Sequence, residues 1–258
     1  MKRLATAIAA IVLIGTPALA ADMAVKASPP APAPAPVYNW TGFYIGGDVG
    51  GLWTRSNATW LPSLVIPSYP IANVSTNASS AVGGVHAGYN WQFSQIWVTG
   101  VEGDWSWTHA SGSFNQLWPL AVGLPTPGAS TTMSSTLDWL ASIRGRLGYL
   151  ISPTLLAYVT GGAAWGKFGY SANASDLLIG PPAYIASAAF SDTAAGYVVG
   201  GGLEWAMTTN WFLRAEYLYY HLDSSQTVVV VPPGSVSSTF IWSKTNVNVG
   251  RVGLSYKF

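Results

Sequence analysis

The sequence predicts an all-β fold, an eight-stranded antiparallel transmembrane β-barrel with short periplasmic turns and four long extracellular loops. Three observations predict it. Eight segments alternate apolar with small or polar residues at a period of two, short and long connections alternate between them, and only 8% of residues are charged although half are hydrophobic. Period-two alternation gives a strand one greasy face. An even strand number, with short turns at one end and long loops at the other, is the layout of a barrel whose termini share the periplasmic side. A charge content far below the roughly 25% of ordinary soluble chains is a poor recipe for a water-facing surface. Beyond the N-terminus no run of about 18 apolar residues occurs, so no transmembrane helix is encoded.

Residues 1–20 read as a secretory signal peptide, with Lys2 and Arg3, an apolar stretch from Leu4 to Ile14, and Ala18-Leu19-Ala20 as cleavage site. Removing Lys2 and Arg3 takes the formal charge from +1 to −1, which leaves no basic surface and excludes nucleic acid as an expected partner. Cysteine is absent, so neither disulfides nor thiol chemistry are available. Residues 21–39 form a Pro/Ala-rich periplasmic linker. Its core, Ala27 to Pro36, is an extended spacer reaching about 30 Å. The barrel occupies residues 40–258.

The strands follow in order. The first sets Phe43, Ile45, Val49 and Trp53 against Tyr44, Gly46, Asp48 and Gly50. The second sets Val85, Ala87, Tyr89 and Trp91 against Gly84, His86, Gly88 and Asn90, and the third Trp97, Val101, Trp105 and Trp107 against Gly100, Glu102, Asp104 and Ser106. In the fourth, Leu137, Trp139, Ala141, Ile143, Leu147 and Tyr149 oppose Asp138, Ser142, Arg144 and Arg146. The fifth runs from Leu155 to about Phe168 with small or apolar residues on both faces. The sixth opposes Tyr197, Val199, Leu203 and Trp205 to Gly200, Gly202 and Glu204; the seventh opposes Leu213, Ala215, Tyr217 and Tyr219 to Arg214 and Glu216. The eighth ends on Phe258, with Arg251, Gly253 and Ser255 on its polar side. Short turns fall at Ser94-Gln95, Ile151 to Thr154 and Thr208 to Asn210, whereas residues 55–79, 109–133, 171–193 and 224–241 read as long loops.

Alternation alone also suits a soluble sandwich with its polar face in water. The many Trp and Tyr near strand ends on the apolar face favour lipid, because such amphipathic rings sit at headgroup level. The lumen then receives Asp48, Glu102, Asp104, Asp138, Arg144, Arg146, Glu204, Arg214, Glu216 and Arg251.

Four stretches carry a family resemblance: Trp40 to Gly47, Val101 to Trp105, Glu204-Trp205 through Asn210-Trp211 to Tyr220, and Arg251 to Phe258. They resemble the small outer-membrane β-barrels of alphaproteobacteria, the opacity-protein-like porin family that includes the 25 and 31 kDa outer-membrane antigens. The resemblance thins in the long loops. It implies eight strands, and it implies that Leu254, Tyr256 and Phe258 form the signal read by the barrel-assembly machinery. It also brings haem as a ligand of some relatives, for which His109 or His221 would supply an axial ligand.

An eight-stranded barrel has a lumen that side chains can fill. The lumen charges make either a polar plug, in which the arginines bridge the carboxylates, or a narrow hydrated path. No catalytic motif accompanies the histidines: His86 reads as a satisfied lumen residue, and His109 and His221 lie near the outer rim without a serine motif. No metal site or cofactor is expected, since the three histidines sit on different strands. Gly161-Gly162 and Gly200-Gly201-Gly202 lack the order of a phosphate loop and read as room for bulky lumen neighbours. Each long loop carries an apolar, Pro-marked knot: Leu64 to Pro67, Leu117 to Leu120, Leu177 to Pro182, and Val228 to Pro233. These knots either cap the mouth or contact a partner protein or ligand. The expected role is a surface-displayed barrel that stabilises the envelope, with a narrow pore or small-ligand binder as the alternative and a barrel hydrolase third. Its expected partners are outer-membrane lipid and the assembly machinery.

Overall fold

The computed structural model describes residues 38–62, 72–117, 130–176, 184–230 and 238–258. The signal peptide, nearly all of the linker and the first three apolar knots, except Leu117, lie outside the described residues, as does the fourth beyond Val230. The described residues form nine strands: β1 (Gly42–Pro62), β2 (Ala72–Gln92), β3 (Trp97–Leu117), β4 (Ser130–Ser152), β5 (Leu155–Asp176), β6 (Tyr184–Ala206), β7 (Trp211–Asp223), β8 (Gln226–Val230) and β9 (Ser238–Lys257).

Neighbours pair antiparallel from β1 to β7, then β7 with β9, and β9 closes on β1. The seam runs through Tyr44↔Lys257 and Val49↔Val252, and the Phe258 N–H donates to the Phe43 carbonyl at 2.9 Å. The expected ring of eight is therefore present, and the terminal strand closes it against the first. β8 takes up the edge of β9 that β7 leaves free: β7 pairs with β9 up to Thr245, and β8 pairs from Trp242 to Ser238. The break falls at Ser224, whose buried hydroxyl bridges the Ser243 carbonyl (3.0 Å) and Thr245 Oγ1 (2.9 Å).

Much of what reads as loop is strand. Residues 55–62, 72–79, 109–117, 130–133, 171–176, 184–193 and 238–241 continue the ladders. In Thr54-Arg55-Ser56-Asn57-Ala58 both faces are polar or small, so the period-two signal fades while the backbone pairing that defines a sheet persists.

The outward face explains the limits of the readable segments. Ile45, Val49, Val101, Ile143, Leu147, Val159, Val199 and Val252 form an exposed aliphatic belt. Below it, toward the short turns, stand Phe43, Trp91, Trp97, Tyr149, Trp205, Trp211 and Phe258; above it stand Trp53, Trp105, Trp107, Tyr197 and Tyr217. From Phe43 to Trp53 is ten residue steps of roughly 3.3 Å, which at a tilt of about 40° gives about 25 Å, the height of a lipid-facing band. Past the upper girdle the polarity inverts. Outward positions become Arg55, Asn57, His109 and Ser111, while Leu52, Val82, Leu140, Phe168, Leu222, Phe240 and Trp242 are buried inside.

At that level the ring also divides. β2 and β3 stop pairing beyond Val82↔Thr108, and β6 and β7 beyond Ala195↔Asp223. What continues is one sheet of β8-β9-β1-β2 and another of β3-β4-β5-β6. Their inner faces meet through aromatic rings: Trp242 of β9 lies 5.2 Å from Tyr170 of β5 and 5.7 Å from Phe190 of β6, centroid to centroid. The upper part is thus polar outside and apolar inside, as a sandwich in water is. Val228, part of the fourth knot, packs on this cluster, and Val229 beside it is exposed.

Candidate functional site

The lumen is filled in three tiers. At the short-turn end Trp40, Tyr44, Val98, Leu156 and Phe212 are buried together with Tyr38. Tyr38 and Trp40 precede β1 and fold into the mouth. The Trp40 indole N–H donates to the Pro153 carbonyl (3.2 Å), its backbone N–H to Gln92 Oε1 (3.1 Å), and its ring meets Phe212 at 5.9 Å. Lys257 Nζ lies 4.7 Å over the Tyr38 ring and donates to the Asn39 carbonyl. Burial, with the Glu204 carboxylate, pushes the Tyr38 hydroxyl up to about 12. Tyr38 and Asn39, which read as the end of the linker, are in contact with the barrel.

The middle tier is ionic. Arg144 contacts Glu102 (2.5 Å), Asp104 (3.3 Å) and Glu216 (2.9 Å). Arg146 contacts Glu204 (2.7 Å) and Glu102 (3.4 Å), and Arg214 contacts Glu102 and Glu204 (3.0 Å). Arg251 contacts Glu216 (2.7 Å), Asp104 (3.2 Å) and Asp48 (3.6 Å). The register places Glu102 opposite Arg144, Glu204 opposite Arg214 and Glu216 opposite Arg251, so half of each pair is set by strand alignment alone. Tyr44 donates to Glu102 (2.6 Å) and Tyr158 to Glu216 (2.9 Å), which satisfies further lone pairs where water is excluded. The bulky rings and guanidiniums find room beside glycine: a Cβ on Gly88 would stand 2.5 Å from the Tyr44 hydroxyl, and one on Gly202 2.8 Å from that of Tyr158.

Nine of the ten charged residues assigned to the lumen meet there. Asp138 does not. Between Leu137 and Trp139 the β4 ladder slips by one residue against β5, and opposite it β3 bulges between Trp107 and Ala110. The extra residue turns Leu137 into the upper core and leaves Asp138 outside, 3.9 Å from the exposed His109. Strict alternation carried through the bulge gives the wrong face for both Asp138 and Leu137.

A constellation that sequence spacing does not suggest lies beside the seam. Asp48 Oδ2 is 2.7 Å from His86 Nδ1, and His86 Nε2 is 2.7 Å from Ser255 Oγ. The order is that of a hydrolytic triad, but catalysis also needs substrate access and an oxyanion site. All three residues are buried, between the Trp40 tier below and Leu52 above. What their geometry does show is a link across the seam. Gly46 of β1 is the register partner of both His86 and Ser255, so the imidazole crosses over Gly46 to join β2 to β9 across the seam strand. A Cβ on Gly46 would sit 2.5 Å from His86 Nε2. The signal in the sequence was the coincidence of Gly46 with two polar inward partners, which becomes visible only once register is known.

His109 on β3 and His221 on β7 face outward, four positions apart around the ring of eight, so the two cannot share one haem. His221 is engaged by Asn246 Oδ1 (2.8 Å) and the Tyr197 ring (5.2 Å). Leu254, Tyr256 and Phe258 lie on the outward face at the short-turn end, with the Tyr256 and Phe258 rings 5.2 Å apart.

A closed antiparallel ring, apolar and girdled outside and packed with paired charge inside, defines a transmembrane β-barrel. The chain belongs to the family described as outer membrane protein beta-barrel domain, whose model matches residues 7–258. It is 34% identical over 252 residues to the 31 kDa outer-membrane immunogenic protein of Brucella melitensis biotype 1, covering 95% of each chain. To the 25 kDa outer-membrane immunogenic protein of the same organism it is 27% identical over 261 residues, covering 100% of this chain and 99% of that one. Among solved structures, OprG of Pseudomonas aeruginosa aligns over 85% of this chain and 97% of that one, with 12% identity and a TM-score of 0.48. The resemblance read from the four sequence stretches is thus a true family relationship.

Proposed function

We propose that the protein is a non-conducting envelope barrel, both termini periplasmic, that holds a rigid β-extension and its loops above the outer membrane. The observation that carries this reading is the filled lumen: an aromatic plug, a paired ionic layer and an apolar tier lie in series where a pore would need continuous water. Fixed in place by cross-strand pairs, the ionic layer supports the wall from inside instead of tuning ion flow. The inverted polarity above the upper girdle supports surface display, since a strand pair with polar flanks and an apolar interior is stable in water without lipid.

Refolded protein in planar bilayers is expected to give no discrete current steps. A Ser113→Cys variant is expected to react with a membrane-impermeant maleimide on intact cells, and a Ser94→Cys variant only after permeabilisation. Reproducible conductance from pure protein overturns the sealed lumen, and the reverse labelling pattern overturns the orientation.

A further inference from the structure

Among the described residues the outward face of the ring carries three lysines or arginines, Arg55, Lys167 and Lys244, and none lies within the aliphatic belt. Arg55 and Lys167 follow Trp53 and Trp165 by two residues. Lys244 precedes Asn246, the register partner of Arg55, by two residues and so stands nearer the loops on β9. Lys244 interacts with Asp223. No carboxylate among the described residues pairs with Lys167, which is half-buried on β5 between Trp139 and Thr193 of the adjoining strands.

Beneath Lys167 the lipid-facing wall is recessed. Ala87, Gly103 and Ala141 floor a furrow of about 430 Å³, walled by Trp105, Ile143 and Trp165. Trp105 at the head of the furrow stacks on Trp139 at 4.4 Å, and Trp139 is the register partner of Lys167, so one ring separates the furrow from the strand position of the cation. A second recess of about 390 Å³, bordered by Tyr89, Trp91, Thr99 and Val101, continues between β2 and β3 toward the short-turn end. From Trp105 to Val101, where the second recess begins, is four residue steps, about 13 Å along the strand and about 10 Å of depth at the usual tilt. Trp105 to Trp97 of the lower girdle is eight steps and about 20 Å of depth, so the furrow itself lies in the upper half of the lipid-facing band, one leaflet.

We infer that this face is a binding site for a phosphorylated, acylated glycolipid of the outer leaflet, the chemistry of lipid A. One acyl chain lies in the furrow, a sugar phosphate meets Lys167, and the hydroxyl of Thr193 faces the sugar. In a bilayer an apolar furrow gains nothing from water exclusion, because the surrounding chains are equally apolar. Selectivity then comes from shape and from the unpaired cation, and the phosphate is the stronger of the two determinants. The inference rests on the orientation proposed above, which puts Lys167 in the outer leaflet.

Native mass spectrometry of the full chain in mild detergent, titrated with bis-phosphorylated lipid A or with phosphatidylglycerol, tests it. Lipid A is expected to bind at one copy and more tightly than phosphatidylglycerol. Lys167→Ala is expected to weaken it about tenfold, the low end of a hydrogen bond to a charged group. Gly103→Leu fills the furrow and is expected to weaken it as well; the fold has space for this change, since a Cβ there meets nothing nearer than the Ser142 carbonyl at 3.8 Å. Lys244→Ala is expected to leave binding unchanged. Equal binding by wild type, Lys167→Ala and Gly103→Leu overturns the site, and equal binding of the two lipids overturns the glycolipid assignment. Binding in detergent is independent of insertion direction, so failure of the maleimide test would refute the orientation without imitating either result.

Discussion

Replacing Arg214 by Met tests whether the ionic tier is held by charge balance or merely by packing. The Arg214 side chain is fully buried and contacts two carboxylates, Glu102 and Glu204. The tier holds five carboxylates (Asp48, Glu102, Asp104, Glu204, Glu216) against four guanidiniums, an excess of one. Arg214→Met raises the excess to two. Removing one member of a buried pair costs about 3–5 kcal/mol; Glu102 keeps Arg144 and Arg146, and Glu204 keeps Arg146, so the low end, about 3 kcal/mol, applies here. Adding Glu204→Gln restores the excess to one while leaving an amide that can still accept from Arg146. The double variant is therefore expected to recover more than half of the loss. Urea unfolding in detergent micelles, followed by tryptophan fluorescence and by the gel shift between folded and boiled protein, reads both values. A single-variant loss below about 1 kcal/mol, or a double variant less stable than the single, would refute the charge-balance argument.

Further expectations concern the seam, the plug, the bulge and the chain end. Gly46→Ala drives a methyl into His86 and is expected to cost about 1–3 kcal/mol by overpacking, with loss of the heat-modifiable shift under milder denaturant; an unchanged midpoint would show that the imidazole does not bridge the seam. Trp40→Ala empties the turn-end tier and is expected to cost about 3–5 kcal/mol, read by the same urea titration, while the intact ionic tier still blocks current in bilayers. Asp138→Ala is expected to shift stability by no more than about 0.5 kcal/mol, as for an exposed ion pair; a loss like that of Arg214→Met would return Asp138 to the lumen. Deleting Phe258 is expected to reduce assembly in cells more than refolding in detergent, and equal damage in both assays would count against its role as an assembly signal.

Between Phe43 and Trp53, and in the equivalent stretch of each other strand, the sequence is read correctly because one face meets lipid and must be apolar. The alternation is therefore strong, and it locates nine lumen charges. It fails where that constraint ends. Above Trp53, Trp107 and Trp139 the outward face meets water and the inward face mixes small and apolar residues, so Arg55 to Pro62 reads as loop although it is strand, flanked by β2 as far as Trp60 and by β9 as far as Pro62. Asp138 is misplaced because one inserted residue, invisible to periodicity, reverses inside and outside.

What the sequence determined by itself is therefore the local and repetitive part: strand identity, the polar and apolar faces, the short turns and the closure of Phe258's strand on the first. Each follows from the period-two geometry of a single strand and the obligation to leave no free edge in lipid. What only the tertiary structure decided is which residues meet across the ring. The Asp48, His86 and Ser255 bridge, the Trp40 plug, the division into two sheets above the girdle and the Lys167 furrow all depend on register and on the order of strands around a closed wall. Contacts between residues 38 and 169 positions apart, as His86 makes with Asp48 and Ser255, leave no local trace in a chain.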